Sequence, residues 1–262
     1  MSLKSPPTAL VTGASRGLGR ALALTLAGAG TRVIAMARPS AELRETEARV
    51  QQLQPSSYAL GCDLSDSGAI DRACAEILSR SPALDALVHN AAIIGPVVPT
   101  QRLSPGGFAE VIQVNLCAVH ALTLGLLPAL EGPRWSRVTL VSSGAATTAF
   151  GSWSAYCASK AALEMWGRCA AQDLAAQKVS VLSVSPGVID TQMQQTLRAA
   201  DPSDFPSHDR FVSYHDEGKL MDARVVSERL APLCMRHPKN LSGQKMILWS
   251  QECGDLVEKL LV

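Results

Sequence analysis

Short apolar runs alternate along the chain with longer segments in which apolar residues recur at helical spacing. The runs are nearly continuous in apolar residues, which is typical of strands buried on both faces of a parallel sheet. They predict strands at residues 8–12, 32–37, 58–62, 84–90, 137–143, 179–185 and 244–249. The segments between them predict helices at residues 17–28, 40–53, 66–80, 105–130, 154–176 and 224–236. This regular alternation predicts an α/β fold of three layers, doubly wound around a seven-stranded parallel sheet.

Residues 191–222 interrupt the alternation. This segment is polar, contains two prolines and carries the aromatic residues Phe205, Phe211 and Tyr214. A connection of this length in a compact domain is usually a functional lid or a disordered stretch. Because it follows the sixth strand, at the edge where sheets of this kind bind ligands, we interpret it as a substrate lid. The chain shows no repeat or linker, so residues 1–262 are predicted to form a single domain.

Composition narrows the class of protein. The 262 residues are 47% hydrophobic and 18% charged, with a formal net charge of +1. Such a balance indicates neither a disordered chain nor a nucleic-acid partner. No apolar run reaches the roughly 18 to 20 residues of a membrane span, and prolines stand where a signal peptide would have its apolar segment. We therefore expect a cytoplasmic protein without a membrane partner.

The cysteines and histidines give no sign of a disulfide framework or a metal site. The seven cysteines, at positions 62, 74, 117, 157, 169, 234 and 253, lack CxxC spacing and lie in apolar segments. They are expected to be reduced thiols of the core. The five histidines are scattered, without the spacing of metal ligands, so no metal is predicted.

A glycine-rich turn, TGASRGLG, follows the first predicted strand and opens the first helix. Glycine permits a tight turn and a close approach of the backbone to a pyrophosphate, whose charge the amides and the helix N-terminus then stabilise. An ordinary strand-to-helix turn is the alternative, but the position between strand and helix favours a dinucleotide site. The candidate residues of this turn are Gly13, Ser15, Arg16, Gly17, Leu18 and Gly19.

The spacing TGxxxGxG resembles that of the short-chain dehydrogenase/reductase family, which implies a Rossmann fold and a nicotinamide dinucleotide. Arg16 lies in the turn and Arg38 follows the second strand, where NAD-preferring enzymes usually have a carboxylate. Arginine can bind a 2′-phosphate bidentately, so NADP(H) is predicted as the cofactor. Asp63, after the third strand, matches the family aspartate that contacts adenine; capping of the next helix is the alternative.

A tyrosine and a lysine stand four residues apart in SWSAYCASKAALEMW, residues 152–166. On a helix, Tyr156 and Lys160 share one face. A free tyrosine has a pKa near ~10, and a nearby ammonium group favours its anion, so the pair can serve as an acid or base. An incidental pair on a half-exposed helix is the alternative reading.

Two more polar residues complete the candidate catalytic group. Ser143 ends the fifth predicted strand and can donate to a substrate carbonyl oxygen; Ser142 competes for this role, and the family spacing selects Ser143. Asn115 is polar on an otherwise apolar helix, where a solvent-facing position is the alternative. The resemblance implies that Asn115 holds a water molecule that relays protons to Lys160.

The motifs HNAA, residues 89–92, and PGVIDT, residues 186–191, extend the resemblance. It implies that Asn90 steadies the sheet beside the cofactor, and that the second motif holds the nicotinamide carboxamide through Thr191 and the neighbouring backbone. The residues concerned there are Pro186, Gly187, Val188, Ile189 and Thr191. Ala92 departs from the usual glycine and adds a methyl group near the cofactor.

Within the family the chain is most similar to sepiapterin reductases and benzil reductases, in FGSWSAYCASKAA, SPGVIDTQMQQ, GKLMDARVVSERL and NLSGQ. Sepiapterin reductases usually end their last strand with an acidic residue that holds the pterin; here Ser250 falls near that place. A compact dicarbonyl or an aryl ketone suits the residues better. Phe150, Trp153 and Met193 are candidate walls of the substrate pocket, with core packing as the alternative.

Together these features predict an NADPH-dependent carbonyl reductase that transfers hydride to a ketone, either an α-diketone or a side-chain carbonyl like that of sepiapterin. A secondary-alcohol dehydrogenase or a 3-oxoacyl thioester reductase of the same family is the alternative. A non-catalytic NADP(H) sensor is disfavoured, since it need not retain all four catalytic residues. The helix at 154–176 is apolar or small on several sides, and family members commonly pair through it, so a homodimer or homotetramer is expected.

Overall fold

The computed structural model describes residues 5–132 and 134–261. A seven-stranded sheet, parallel throughout, forms the middle of three layers, with the strand order β3-β2-β1-β4-β5-β6-β7. The predicted α/β, doubly wound architecture is confirmed. The strands are β1 Thr8–Thr12, β2 Arg32–Ala37, β3 Tyr58–Gly61, β4 Ala86–His89, β5 Ser136–Val141, β6 Val179–Ser185 and β7 Lys245–Ile247.

Helices cover both faces of the sheet, and several begin at side chains that cap them. Ser40 accepts a hydrogen bond from the amide of Leu43 at 3.1 Å, and Asp222 accepts one from the amide of Arg224 at 2.7 Å. The helices are α1 Gly17–Gly28, α2 Ala41–Leu53, α3 Ser67–Arg80, α4 Pro105–Ile112, α5 Ala118–Gly125, α6 Leu127–Leu130, α7 Ser154–Asp173, α8 Gln192–Arg198, α9 His208–Asp216, α10 Ala223–Arg236 and α11 Gln251–Leu261.

The sheet separates two apolar cores, because successive side chains of a strand point to opposite faces. Val11 faces a core that α1, α2, α10 and α11 close, whereas its neighbour Leu10 faces a core that α3, α5 and α7 close. In the first of these, α1 packs directly against α10, and the hydroxyls of Thr25 and Ser227 hydrogen-bond at 2.8 Å. Both strand faces are thus buried, as the continuous apolar runs predicted.

The long helix predicted at 105–130 is interrupted. Between α4 and α5, residues Gln113–Cys117 form a π-helical turn, and α6 starts afresh at Leu127 with a proline in its first turn. A π turn places more residues in one turn and rotates the following side chains around the helix axis. The α11 helix at the end of the chain was not predicted from the sequence.

The stretch Pro105–Gly125 is, within the described residues, the one candidate for a membrane span by length and composition; it contains Glu110, Gln113 and Asn115, so it is not the continuous apolar run that the sequence analysis excluded. Within its 21 residues an 18-residue window reaches a mean hydropathy of 1.4. In the folded chain, α4 and the π turn pack against α7, and α5 packs against α3. The apolar character of this stretch therefore serves packing between helices as well.

The cysteines divide into two groups. Cys62, Cys74, Cys234 and Cys253 are buried thiols, as expected. Cys117 and Cys169 are exposed and Cys157 is half-buried, so the prediction of core thiols is wrong for these three. Apolar sequence neighbours did not reveal which side of its helix each cysteine occupies.

Candidate active site

A cleft of about 1080 Å³ runs along the carboxyl edge of the sheet. It lies where the strand order reverses between β1 and β4, the place at which open α/β sheets bind ligands. Every predicted site residue except Asn115 lines it. These residues are Gly13, Ser15, Arg16, Gly17, Leu18, Gly19, Arg38, Asp63, Asn90, Ser143, Phe150, Trp153, Tyr156, Lys160, Pro186, Gly187, Val188, Ile189, Thr191 and Met193.

The glycine-rich turn is packed too closely for side chains. Gly13 and Gly17 have φ of +68° and +54°, a conformation that favours glycine. A Cβ at Gly19 would lie 2.2 Å from the carbonyl oxygen of Gly13. The first turn of α1 carries no acidic residue, so its amides and dipole face the cleft without an internal anion. This cradle fits the pyrophosphate of a dinucleotide.

A small polar network joins the turn to β4. The Asn90 side chain donates to the carbonyl oxygen of Thr12 at 2.9 Å, and the Thr12 hydroxyl accepts from the amides of Asn90 and Ala91 at 3.0 Å. Asn90 therefore fixes the two strands at the point where the sheet order reverses. Thr12 is a site residue that the sequence analysis missed, although it directly precedes the first glycine of the motif.

The two arginines occupy different parts of the cleft. Arg16 donates a hydrogen bond through Nη1 to Oε1 of Gln192, the first residue of α8, and so bridges the turn and the lid. Arg38 lies beyond the end of β2, beside the start of α2. The amide and hydroxyl of Ser65 donate to Oδ1 of Asp63 at 2.9 and 2.8 Å. These bonds, with a smaller contribution from the charge of Arg38, lower the pKa of Asp63.

Asp63 thus orders the turn before α3 while lining the cleft. The residue that precedes α3 is Asp66. Asp63 therefore does not cap α3, so the capping alternative is wrong, and its predicted contact with adenine stays a prediction.

The pair predicted to be catalytic, Tyr156 and Lys160, is buried and lines the cleft. Tyr156 is 5% exposed; burial raises its pKa to about 12, against the opposing effect of a hydrogen bond with Ser143. Lys160 donates to the carbonyl oxygen of Val141 at 2.8 Å, and its Nζ lies 5.7 Å from the centre of the Tyr156 ring. Burial lowers the pKa of Lys160 to about 8, against the charge of Glu164. At neutral pH the tyrosine carries its proton and the lysine its charge, which suits proton donation.

The choice between the two serines follows from their contacts. The Ser142 hydroxyl donates to Oε1 of Glu164 at 2.5 Å and is thereby occupied beneath α7. Ser143 lines the cleft and hydrogen-bonds with Tyr156. Its hydroxyl also accepts from the amide of Ala145 at 3.1 Å, which leaves its own proton available as a donor. The geometry thus agrees with the family spacing that favoured Ser143.

Asn115 lies in the π turn and is buried, so the solvent-facing alternative is wrong. Its Oδ1 accepts from the amide of Ile93, and its Nδ2 donates to the carbonyl oxygen of Ile93, both at 2.9 Å. Nδ2 also donates to the Ser159 hydroxyl on α7 at 3.0 Å. The side chain joins the loop after β4 to the catalytic helix. Its predicted water relay to Lys160 stays a prediction.

Aromatic residues form one wall of the cleft. Trp153 stacks on Tyr156, with ring centroids 4.4 Å apart and planes 7° apart. Phe150 and Phe211 meet Trp153 at 5.8 and 6.0 Å. Trp153 and Phe150 therefore line the pocket and also pack in an aromatic cluster, so both readings of these residues hold. Met193 packs against the same cluster.

The segment interpreted as a substrate lid, residues 191–222 and called the lid throughout, has more structure than its polar sequence indicated. It contains α8 and α9, and a parallel bridge joins Ile189 to Met221. Phe205 is fully buried and stacks with Phe211 at 5.5 Å. Asp204 pairs with Arg102 and accepts from the Ser152 hydroxyl through its carbonyl oxygen. The disordered alternative is therefore wrong.

Ser250 does not face the cleft. Its hydroxyl accepts from the amide of Cys253 at 3.2 Å, at the start of the helix that the sequence analysis missed. Ser250 is absent from the residues that line the cleft. Ser250 therefore contacts the backbone at the start of α11 and not the cleft.

Comparison with known proteins shows the family to which the chain belongs. The family model for short chain dehydrogenases matches residues 7–202. A benzil reductase ((S)-benzoin forming) of Bacillus cereus is 30% identical over 233 residues, 86% of this chain and 92% of the relative.

Two solved structures are also similar. The KRED1-Pglu enzyme has a TM-score of 0.84 and 32% identity, over 91% of this chain and 99% of that one. A Shigella flexneri short chain dehydrogenase in complex with NADP has a TM-score of 0.79 and 25% identity, over 93% and 97%. The chain belongs to the short chain dehydrogenase family and is one of its nicotinamide-dependent oxidoreductases.

Proposed function

We propose that this protein is an NADPH-dependent carbonyl reductase whose substrate is an aryl α-diketone. The observation that carries the proposal is the stack of Trp153 on Tyr156, which places an aromatic wall beside the proton donor. Offset or edge contacts with Phe150 and Phe211 would hold an aryl ring next to the reacting carbonyl. The similarity to a benzil reductase supports the same substrate class.

In this reaction NADPH supplies the hydride, and the chain supplies proton, charge and position. Ser143 and Tyr156 offer two hydroxyl donors on one side of the cleft, where the carbonyl oxygen gains negative charge. Tyr156 then gives its proton to that oxygen. Lys160, held by the Val141 carbonyl, lowers the cost of the tyrosinate that remains. Gly13, Gly17 and Gly19 leave room for the pyrophosphate, and Asn90 holds the strand ends on either side of it.

The preference for NADPH rests on Arg38. Its guanidinium lies at the end of β2, on the cleft wall next to α2, and among the described residues it makes no ion pair closer than 4.0 Å. A bidentate contact with a 2′-phosphate would satisfy it. We expect Arg38→Ala to raise the KM for NADPH about tenfold while changing that for NADH little. Equal changes for both cofactors would remove the assignment.

A substrate panel tests the reaction. NADPH oxidation is followed with benzil, 1-phenyl-1,2-propanedione, sepiapterin and an acetoacetyl thioester at equal concentrations. We expect kcat/KM for the two aryl diketones to exceed the others by about tenfold or more, as an aromatic pocket worth about 1.4 kcal/mol would give. A preference for the thioester, or turnover of none of the four, would reject the proposal.

We also propose that the protein is a cytoplasmic homodimer. The outer faces of α5 and α7 carry Leu124 and Met165, which are 60% and 56% exposed, beside the partly buried Trp166. Exposed apolar side chains on adjoining helices are typical of an association surface. Light scattering after gel filtration measures the mass; a monomer of 27.7 kDa would reject this expectation, and a mass four times larger would indicate the tetramer.

A further inference from the structure

Beneath the catalytic pair lies a buried carboxylate that the proposed reaction does not use. Glu164 is four residues after Lys160 on α7, one turn further along the same face, and is 7% exposed. Its Oε1 accepts from the Ser142 hydroxyl at 2.5 Å and from Nζ of Lys245 at 2.8 Å. Carboxylates are rarely buried without partners, so these contacts fix the position of its charge.

Both partners of Glu164 come from the elements that build the site. Ser142 adjoins Ser143, and Lys245 begins β7, in register with Ser183 of β6. Lys160, Glu164 and Lys245 therefore form a row of alternating charges between the helix and the sheet, with the two ends cationic. In a medium of low dielectric such a row couples its members strongly.

Few other charges face this row. Arg168, one turn after Glu164 on α7, is exposed, as is Glu110 on α4 at the rim of the cleft. The carboxyl halves of β5 and β6, against which α7 packs, carry no charged side chain. Among the described residues, Glu164 is therefore the buried anion nearest in sequence to the catalytic lysine.

We propose that Glu164 is a positioning residue of the catalytic centre: its carboxylate, fixed by Ser142 and Lys245, keeps the Lys160 ammonium charged inside the cleft. Burial lowers the pKa of Lys160 to about 8, and the charge of Glu164 opposes this shift. The pKa of Lys160 therefore lies only a little above neutral pH. Loss of the carboxylate would bring deprotonation of Lys160 into the working range. Lys245 opposes Glu164 and limits its effect.

The first test needs no substrate, so its failure is distinct from failure of the proposed function, on which the catalytic role rests. The chain has only seven lysines, and NMR of the side-chain Cε groups resolves their titrations; Lys160→Met assigns the signal. In Glu164→Gln the Lys160 midpoint falls by about one pH unit. In Lys245→Met it rises, because the competing cation is gone. Glu76→Gln, which removes an exposed carboxylate on α3, leaves it unchanged.

The second test follows turnover of a diketone against pH. In Glu164→Gln the alkaline limb of kcat moves to lower pH by the same amount, which gives about a fivefold loss at pH 8, and in Lys245→Met it moves to higher pH. Glu164→Asp, which keeps the charge, restores most of the loss. An unchanged limb or NMR midpoint in Glu164→Gln, or shifts of the same sign in both variants, overturns the proposal. If Glu164→Gln does not fold, Lys245→Met and Glu164→Asp decide it in the same measurements.

Discussion

The helix α7 and the lid both line the cleft and meet where Trp153 packs against Phe211, but different forces hold them in place. Along α7, Lys160 and Ser159 hydrogen-bond to Val141 and Asn115, so the reactive groups are tied to strand ends and loops of the sheet. The lid is held mainly by aromatic side chains, with Phe205 at the centre of their packing. Hydrogen bonds fix direction, whereas apolar packing is less directional. The difference puts directional contacts on α7, the catalytic wall, and a more adaptable surface on the lid, the lid wall.

The largest effect is expected from a substitution that removes one hydroxyl from the catalytic wall. Tyr156→Phe should lower kcat for the diketone about 1000-fold, since proton transfer by a positioned group contributes roughly 10² to 10⁴. Binding of NADPH, followed by fluorescence titration, should stay within about twofold, because the ring still packs on Trp153.

Tyr214→Phe is the matched variant on the lid. It removes the hydroxyl that accepts from Nε of Arg210 at 2.6 Å and should raise KM a few-fold with kcat nearly kept. If Tyr156→Phe keeps its turnover, or if the two variants lose similar activity, the catalytic and lid walls do not differ as described.

The second-largest effect is expected from a substitution that disrupts the packing of the lid. Phe205→Ala empties a fully buried position and should cost about 3 kcal/mol. We expect the loss to be local, so that hydrogen exchange accelerates in α8 and α9 while α7 stays protected.

Phe108→Ala, at an exposed phenylalanine on α4, serves as the control and should change exchange in neither region. Uniform acceleration throughout the chain in Phe205→Ala would show that the lid and the sheet unfold as one unit.

The smallest expected effect is on the pH dependence of stability, to which His89 in the sheet and His208 on the lid contribute with opposite signs. Burial lowers the pKa of His89, behind the site at the end of β4, to about 3. Between that value and the unfolded pKa near ~6.5, the unfolded state binds up to one proton more, so acidification destabilises the fold by up to about 1.4 kcal/mol per pH unit. His89→Asn should remove this loss of stability between pH 7 and pH 5, as measured by denaturant unfolding. The separate loss that comes from His237, whose pKa burial lowers to about 4, should remain.

The lid supplies the contrast. Hydrogen bonds with Asp209 and with the carbonyl oxygen of Arg198 raise the pKa of His208. Its contribution is therefore fully present below the unfolded pKa and is lost as the pH rises through the folded value. His208→Asn should accordingly steepen the loss of stability on acidification, where His89→Asn flattens it. Equal pH slopes in the two variants would contradict these assignments.

The sequence predicted the parts of the site that rest on local pattern. Seven apolar runs became seven strands, and the spacing of Tyr156 and Lys160 put both on one helical face, since periodicity is set by backbone geometry. Residues whose role depends on distant partners were not found this way. The contact of Glu164 with Lys245 joins a helix to a strand far along the chain, and the fold alone brings them together.

The lid and the π turn show the same limit. Phe205 stands among polar residues and prolines, so no pattern indicated that it would be fully buried. The orientation of Asn115 depends on the π turn, which tertiary contacts with Ile93 and Ser159 stabilise. The exposure of Cys117 and Cys169 was likewise decided by which helices pack together.

The packing of α1 against α10 has a consequence for how the protein is made. The apolar side of α1, with Leu22 and Leu26, is covered by Val226 and Leu230 of a helix near the other end of the chain. At a synthesis rate of about 5 to 20 residues per second, α10 is made roughly 10 to 40 s after α1, and until then the apolar side of α1 is uncovered. Throughout that interval the nascent chain exposes a binding surface for chaperones, and a ribosome stalled before residue 223 would release a polypeptide prone to aggregation.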